Sequence, residues 1–97
     1  MPTYITLITY TDQGIRSIKE APKRVDAGKK LLKQMGGELK GYYSTLGAYD
    51  IVTITEAPGD EVMIKFHLAL GSAGNVRTTT LKAVPEAEFR KIIAALP

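Results

Sequence analysis

Apolar and polar residues alternate from Thr3 to Thr11, with Tyr4, Thr6, Ile8 and Tyr10 on one face and Ile5 and Leu7 on the other. A period of two marks a β-strand. Asp12-Gln13-Gly14 is expected to end it. The stretch from Ile15 to Glu20 is ambiguous: Ser17 with Glu20 has capping-box spacing, but Pro22 follows soon after, so only a short helical turn is expected. The period then lengthens. Ala21, Val25, Gly28, Leu32 and Met35 form one helical stripe, and Gly36-Gly37 stops the helix near Met35. Strands are expected over about 38–46 and 49–57. A second helix over about 60–73, with Asp60 able to cap it, buries Val62, Phe66, Ala69, Leu70 and Ala73. It leaves Ile64 and Leu68 on the opposite side. A threonine-rich strand over about 75–84 follows. Pro85 then opens a last helix with Glu86 and Glu88 near its positive end and a narrow apolar face of Phe89, Ile92, Ile93 and Leu96.

Between the two middle strands lies Leu46-Gly47-Ala48-Tyr49-Asp50. Gly-X favours a two-residue type II′ turn, because the first central position needs a positive φ. That turn sets Leu46 opposite Tyr49, Ser44 opposite Ile51 and Tyr42 opposite Thr53. The Tyr42, Tyr49 and Thr53 face is half polar. The face with Leu39, Gly41, Tyr43, Val52 and Ile54 is drier, and is expected to lie beneath the helices.

The order βαββαβ plus a terminal helix predicts an α+β, ferredoxin-like domain over residues 1–97, with strands joined across a helix paired in parallel. Helices cover one sheet face in that plan and leave the other bare. A strand facing water should be polar on one side, yet both faces of the third strand are apolar or mixed. A second copy packed sheet to sheet would cover the bare face. Ile64 and Leu68 would then be contacts for higher assembly.

Composition narrows the function. The 97-residue chain is 44% hydrophobic and 24% charged, the balance of a folded domain. It has no cysteine, which excludes disulfides, thiol nucleophiles and thiolate metal sites. No secretion signal or run of ~20 apolar residues is apparent, so a cytoplasmic protein without a membrane partner is expected. The net charge of +3 is uneven: residues 16–40 hold eight of the basic residues against three acids. Lys23, Lys29, Lys30 and Lys33 could bind phosphate backbones. A solvated helix face is the preferred reading, because no aromatic or glycine motif for nucleic acid accompanies them.

Chemistry is sparsely signalled. Tyr10, Tyr42 and Tyr49 offer apolar bodies with hydroxyls that could orient a small ligand between two sheets, or they simply pack there. Asp50 and Arg77 could pair as the polar end of a pocket. Alternatively, Asp50 accepts backbone N–H bonds from a neighbouring loop such as Gly74-Asn75-Val76. His67, the only histidine, lacks companion ligands for a metal. It reads as an edge-of-core residue, with an acid–base role alongside Tyr42 or Asp50 as the alternative. No nucleotide fingerprint is present, and no metal or cofactor is expected.

Several segments together resemble one family: Met1-Pro2-Thr3-Tyr4-Ile5, Thr11-Asp12-Gln13-Gly14-Ile15, Gly36-Gly37, Leu46-Gly47-Ala48-Tyr49-Asp50, Glu56-Ala57-Pro58, Leu70-Gly71-Ser72 and Gly74-Asn75-Val76-Arg77-Thr78. Spread over nearly the whole chain, they look like the GYD domain family, whose plan is similar to the dimeric α/β-barrel proteins. The resemblance implies a fold and an oligomer, not a reaction. The effector-binding domains of leucine-responsive transcription regulators are more loosely similar. Those domains bind small amino acids between subunits, which implies Tyr49, Asp50, Asn75 and Arg77 as ligand contacts here. The expectation is a homo-oligomer that binds a small molecule or acts as a scaffold without catalysis. A dimeric-barrel isomerase or cofactor-free oxygenase using His67 is the alternative.

Overall fold

The computed structural model describes residues 1–97 and contains β1 (Thr3–Tyr10), α1 (Asp12–Arg16), α2 (Ala21–Gln34), β2 (Glu38–Ser44), β3 (Ile51–Glu56), α3 (Asp60–Ser72), β4 (Val76–Ala83) and α4 (Glu86–Ala94). A single 3-10 turn, Ile18–Glu20, links α1 to α2. The four strands form one sheet in the order β2-β3-β1-β4, the arrangement of a ferredoxin-like α+β fold with an added C-terminal helix. Every neighbouring pair is antiparallel. The expected parallel pairing is therefore wrong: β3 lies between β1 and β2, so strands joined across a helix share a direction without touching. No helix is long and apolar enough to cross a membrane.

Local sequence explains most of these boundaries. Asp12-Gln13-Gly14 begins a helix instead of merely closing β1, because the Thr11 side chain caps it by accepting from the Gly14 N–H at 3.0 Å. Ser17 forms no capping box; its hydroxyl donates back to the Gln13 carbonyl. α2 ends as expected. Gly36 takes φ +87°, and the Gly37 N–H reaches the Leu32 carbonyl at 2.9 Å, closing a Schellman motif. Gly59, not Asp60, occupies the N-cap of α3. The Asp60 carboxylate accepts instead from the Tyr4 hydroxyl at 2.5 Å and pairs with Lys82. The hydrogen bond to Asp60, then burial, pushes the Tyr4 phenol up to about 12. Tyr4 thus joins β1 to α3 at the centre of a core formed with Ala57 and Met63.

The hairpin register is as expected: Ser44 faces Ile51 and Tyr42 faces Thr53. Pairing stops one step before the expected two-residue turn, at the Thr45 N–H to Asp50 carbonyl bond of 2.9 Å, so Leu46–Tyr49 form a four-residue loop with Gly47 at φ +110°. A bulge at Lys40 shifts the far end of the pair, setting Leu39 opposite Thr55 instead of leaving it on the Gly41 face.

The two sheet faces are the reverse of the expectation. Tyr4, Thr6, Ile8, Ile51, Thr53 and Thr55 are buried beneath α2 and α3. Apart from Leu39, which the bulge turns to the covered side, the drier set points away from the helices. Threonine suits the covered face because its methyl packs there while its hydroxyl finds a partner, as in the 3.1 Å contact of Thr6 and Thr80. The uncovered face carries two cross-strand rows, Gly41-Ile54-Ile5-Leu81 and Tyr43-Val52-Leu7-Thr79. Tyr43 is 58% exposed and Leu81 49% exposed.

The helices also cover less than their patterns suggest. The α2 stripe faces the sheet as expected, but α3 fully buries only Met63, and Ala69 and Ala73 remain exposed. Ile64 and Leu68 lie open, as anticipated. α4 stands off the sheet with Phe89, Ile92, Ile93 and Leu96 all exposed. This arm contributes to a radius of gyration of 14.7 Å, against about 12.5 Å for a compact chain of this length.

Candidate functional site

α2 and α3 spread apart over the sheet and leave between them a half-open cavity of about 300 Å³. Its size lies at the lower end for small-molecule sites. The body is apolar: Ile8 and Ile51 come from the sheet, Val25 and Leu32 from α2, and Leu70 from α3. Gly28 and Ala69 keep the helix walls thin, which is why space remains.

One end of the cavity is polar. Tyr10 at the end of β1 and Tyr42 on β2 reach it from the sheet, Arg24 from the second turn of α2, and Asn75 from the turn before β4. Burial raises the Tyr42 pKa above the ordinary phenol value, with the adjacent Tyr10 hydroxyl adding to the rise and the Arg24 charge opposing it. Arg24 is half-buried. Its Nη1 donates to the Ser17 carbonyl at 3.0 Å and the Ser17 hydroxyl at 3.1 Å, and its Nη2 to the Gly14 carbonyl at 3.1 Å. These neutral acceptors hold the guanidinium in place without cancelling its charge. No carboxylate lies within ion-pair distance of it.

His67 reaches the cavity from α3. The Thr80 hydroxyl lies 2.6 Å from its Nε2, and the Thr6 hydroxyl 3.5 Å away. Burial lowers its pKa, so the neutral ring is favoured. No aspartate or glutamate lines the cavity. The constellation can therefore bind through apolar contact, hydroxyls and the cations Arg24 and Lys29, but it holds no carboxylate base.

Of the six residues singled out in the sequence, the structure brings three together: Tyr10, Tyr42 and Asn75. They meet beneath the helices, not between two sheets. The other three lie elsewhere. Asp50 Oδ2 accepts the Tyr10 backbone N–H at 2.9 Å, the backbone-holding role with β1 as partner instead of the Gly74 loop. Asp50 and Arg77 form no ion pair, and Arg77 lies on β4 opposite Thr9. Tyr49 lies in the exposed hairpin loop, where its carbonyl accepts from the Thr45 hydroxyl at 2.6 Å. His67 bonds to threonines, as an edge-of-core histidine would. Arg24 is not among the residues the sequence singles out, although it lies three residues after Ala21 and four before Gly28, a cation within an apolar stripe.

The chain aligns over 90 residues, at 36% identity, with a protein of Thermus thermophilus. That relative is described as a glutamine synthetase and cystathionine beta-lyase binding protein, and the alignment covers 92% of this chain and 95% of the relative. Residues 4–93 match the GYD domain, so this chain belongs to the GYD domain family.

Proposed function

We propose that this protein is a non-catalytic binding protein that works as a homo-oligomer, with two copies packed through their uncovered sheet faces. Each copy holds a small molecule in its sheet–helix cavity and presents the outer surface of the assembly to other proteins. The observation that carries the reading is the cavity's chemistry: apolar walls, two phenols and a fixed guanidinium, with the one histidine committed to threonine hydroxyls. An acid–base enzyme would need a base free to meet substrate. The name of the Thermus relative supports protein partners for this chain as well.

The paired copies follow from the apolar rows. Ile5, Leu7, Val52 and Ile54 form a continuous patch across the two central strands, bordered by Tyr43 and Leu81. Such patches usually mark interfaces. Mass action makes the proposal measurable, because association stabilises the folded chain more at higher concentration. The wild-type melting temperature rises with protein concentration, whereas Val52→Lys remains folded and melts independently of concentration. A concentration-independent wild type would overturn the pairing.

A further inference from the structure

We propose that the cavity between α2, α3 and the sheet takes a small organic acid, an apolar body ending in a single carboxylate, and excludes zwitterionic amino acids. The inference rests on the binding-protein reading above and specifies its ligand.

The guanidinium of Arg24 has five N–H donors. The Ser17 and Gly14 contacts engage three of them. Nε–H and one Nη2 hydrogen are left, and together they suit the two oxygens of a carboxylate. The fixed side chain brings little disorder to the bond, since its position is already set by α1 and the turn after it. The Tyr10 and Tyr42 hydroxyls lie at the same end, where they can donate to the same anion. Beyond that end the walls are mainly apolar, with Ile8, Val25, Ile51 and Leu70, and the polar groups there are the hydroxyls of Thr6, Thr53 and Thr55, the His67 ring and the exposed Lys29.

An ammonium group would find no carboxylate partner. No aspartate or glutamate lines the cavity, and Asp50 is turned to the Tyr10 backbone outside it. A bound amino acid would therefore hold an unpaired positive charge in a partly dry site already containing Arg24. Charge complementarity favours the acid without the amine. This differs from the amino-acid ligands that the looser sequence resemblance implies, and it places the ligand inside one chain.

Three probes of similar body separate the possibilities: 4-phenylbutyrate, 4-phenylbutan-1-ol and phenylalanine, each titrated calorimetrically into the full chain. The acid is expected to bind at least tenfold more tightly than either other probe. Arg24→Met should abolish the preference for acid over alcohol. Because Arg24 also anchors α1, Gly28→Leu supplies a second variant. A Cβ at Gly28 meets only Leu70 Cδ2, at 3.9 Å, so the side chain can enter the cavity without displacing backbone. Leucine also favours helix more than glycine does. Gly28→Leu should fold and lose the acid. Equal affinity for acid and alcohol, both lost in Gly28→Leu, overturns the acid preference while the binding-protein reading stands. Phenylalanine binding as tightly as the acid does the same. Binding of none of the three at millimolar concentration overturns the ligand class and the small-molecule reading together.

Discussion

Asp50 is the residue at which a structural and a ligand-binding role make opposite demands. Its carboxylate accepts the Tyr10 N–H at 2.9 Å, its own N–H donates to the Ile8 carbonyl at 2.9 Å, and its carbonyl accepts from Thr45. The residue thereby ties the β2–β3 loop to the end of β1. Substitution by alanine keeps the two backbone bonds and removes the charged acceptor. Such hydrogen bonds contribute about 1.5–3 kcal/mol. Asp50 and Tyr10 are both half-buried, so water partly replaces the lost oxygen and the cost lies toward the lower end, about 1.5–2 kcal/mol. For 97 residues an unfolding entropy near 0.2 kcal/mol/K turns this into a fall in Tm of about 7–10 °C. Asp50→Asn retains an oxygen and loses the charge, so it should fall between alanine and wild type. Urea denaturation at pH 7 and one fixed protein concentration measures the effect without interference from assembly. An Asp50→Ala protein within about 0.5 kcal/mol of wild type would refute the anchoring role, because surface changes without special roles commonly have effects that small. The 4-phenylbutyrate affinity should remain unchanged in Asp50→Asn; a large loss at unaltered stability would return the residue to the binding site.

Two further outcomes follow from local geometry. Gly47→Val should destabilise by about 1–3 kcal/mol, because φ +110° is strained for a β-branched residue; a wild-type urea midpoint would contradict this. Burial lowers the His67 pKa, so the folded chain takes up a proton later than the unfolded one as acid is added. Stability from the neutral ring is complete above the ordinary histidine value of 6.5 and is lost as pH falls below it toward the lower folded pKa. Between pH 7.5 and 5.5 the wild type should lose more stability than His67→Gln, and an equal or smaller loss would contradict the buried neutral ring.

How far the sequence could be read depended on whether neighbours along the chain determined the outcome. The α2 stripe of Ala21, Val25, Gly28, Leu32 and Met35 and its Gly36-Gly37 stop are local patterns, and both appear in the structure. The hairpin register was legible for the same reason, although the bulge at Lys40 was not: one unpaired residue leaves no compositional mark. Face assignment failed because polarity was used to decide which side the helices cover. Thr6, Thr53 and Thr55 are buried through hydrogen bonding and methyl packing, whereas Val52 and Ile54 belong to the uncovered side. Alternation identified two faces correctly but could not label them, since that label comes from how α2 and α3 cross the sheet. The candidate site differs for the same reason. Tyr10 and Tyr42 do share a face, but it is the covered one, and Arg24, one of the eight basic residues between 16 and 40, lies on the packed stripe by its helical position.

Sedimentation velocity over a wide concentration range asks whether a twin covers the apolar sheet face. Wild type should sediment with at least twice the 10.6 kDa chain mass, and a folded Val52→Lys protein with the single-chain mass. Wild type at single-chain mass up to the highest soluble concentration, or an assembly unaffected by Val52→Lys, would contradict it.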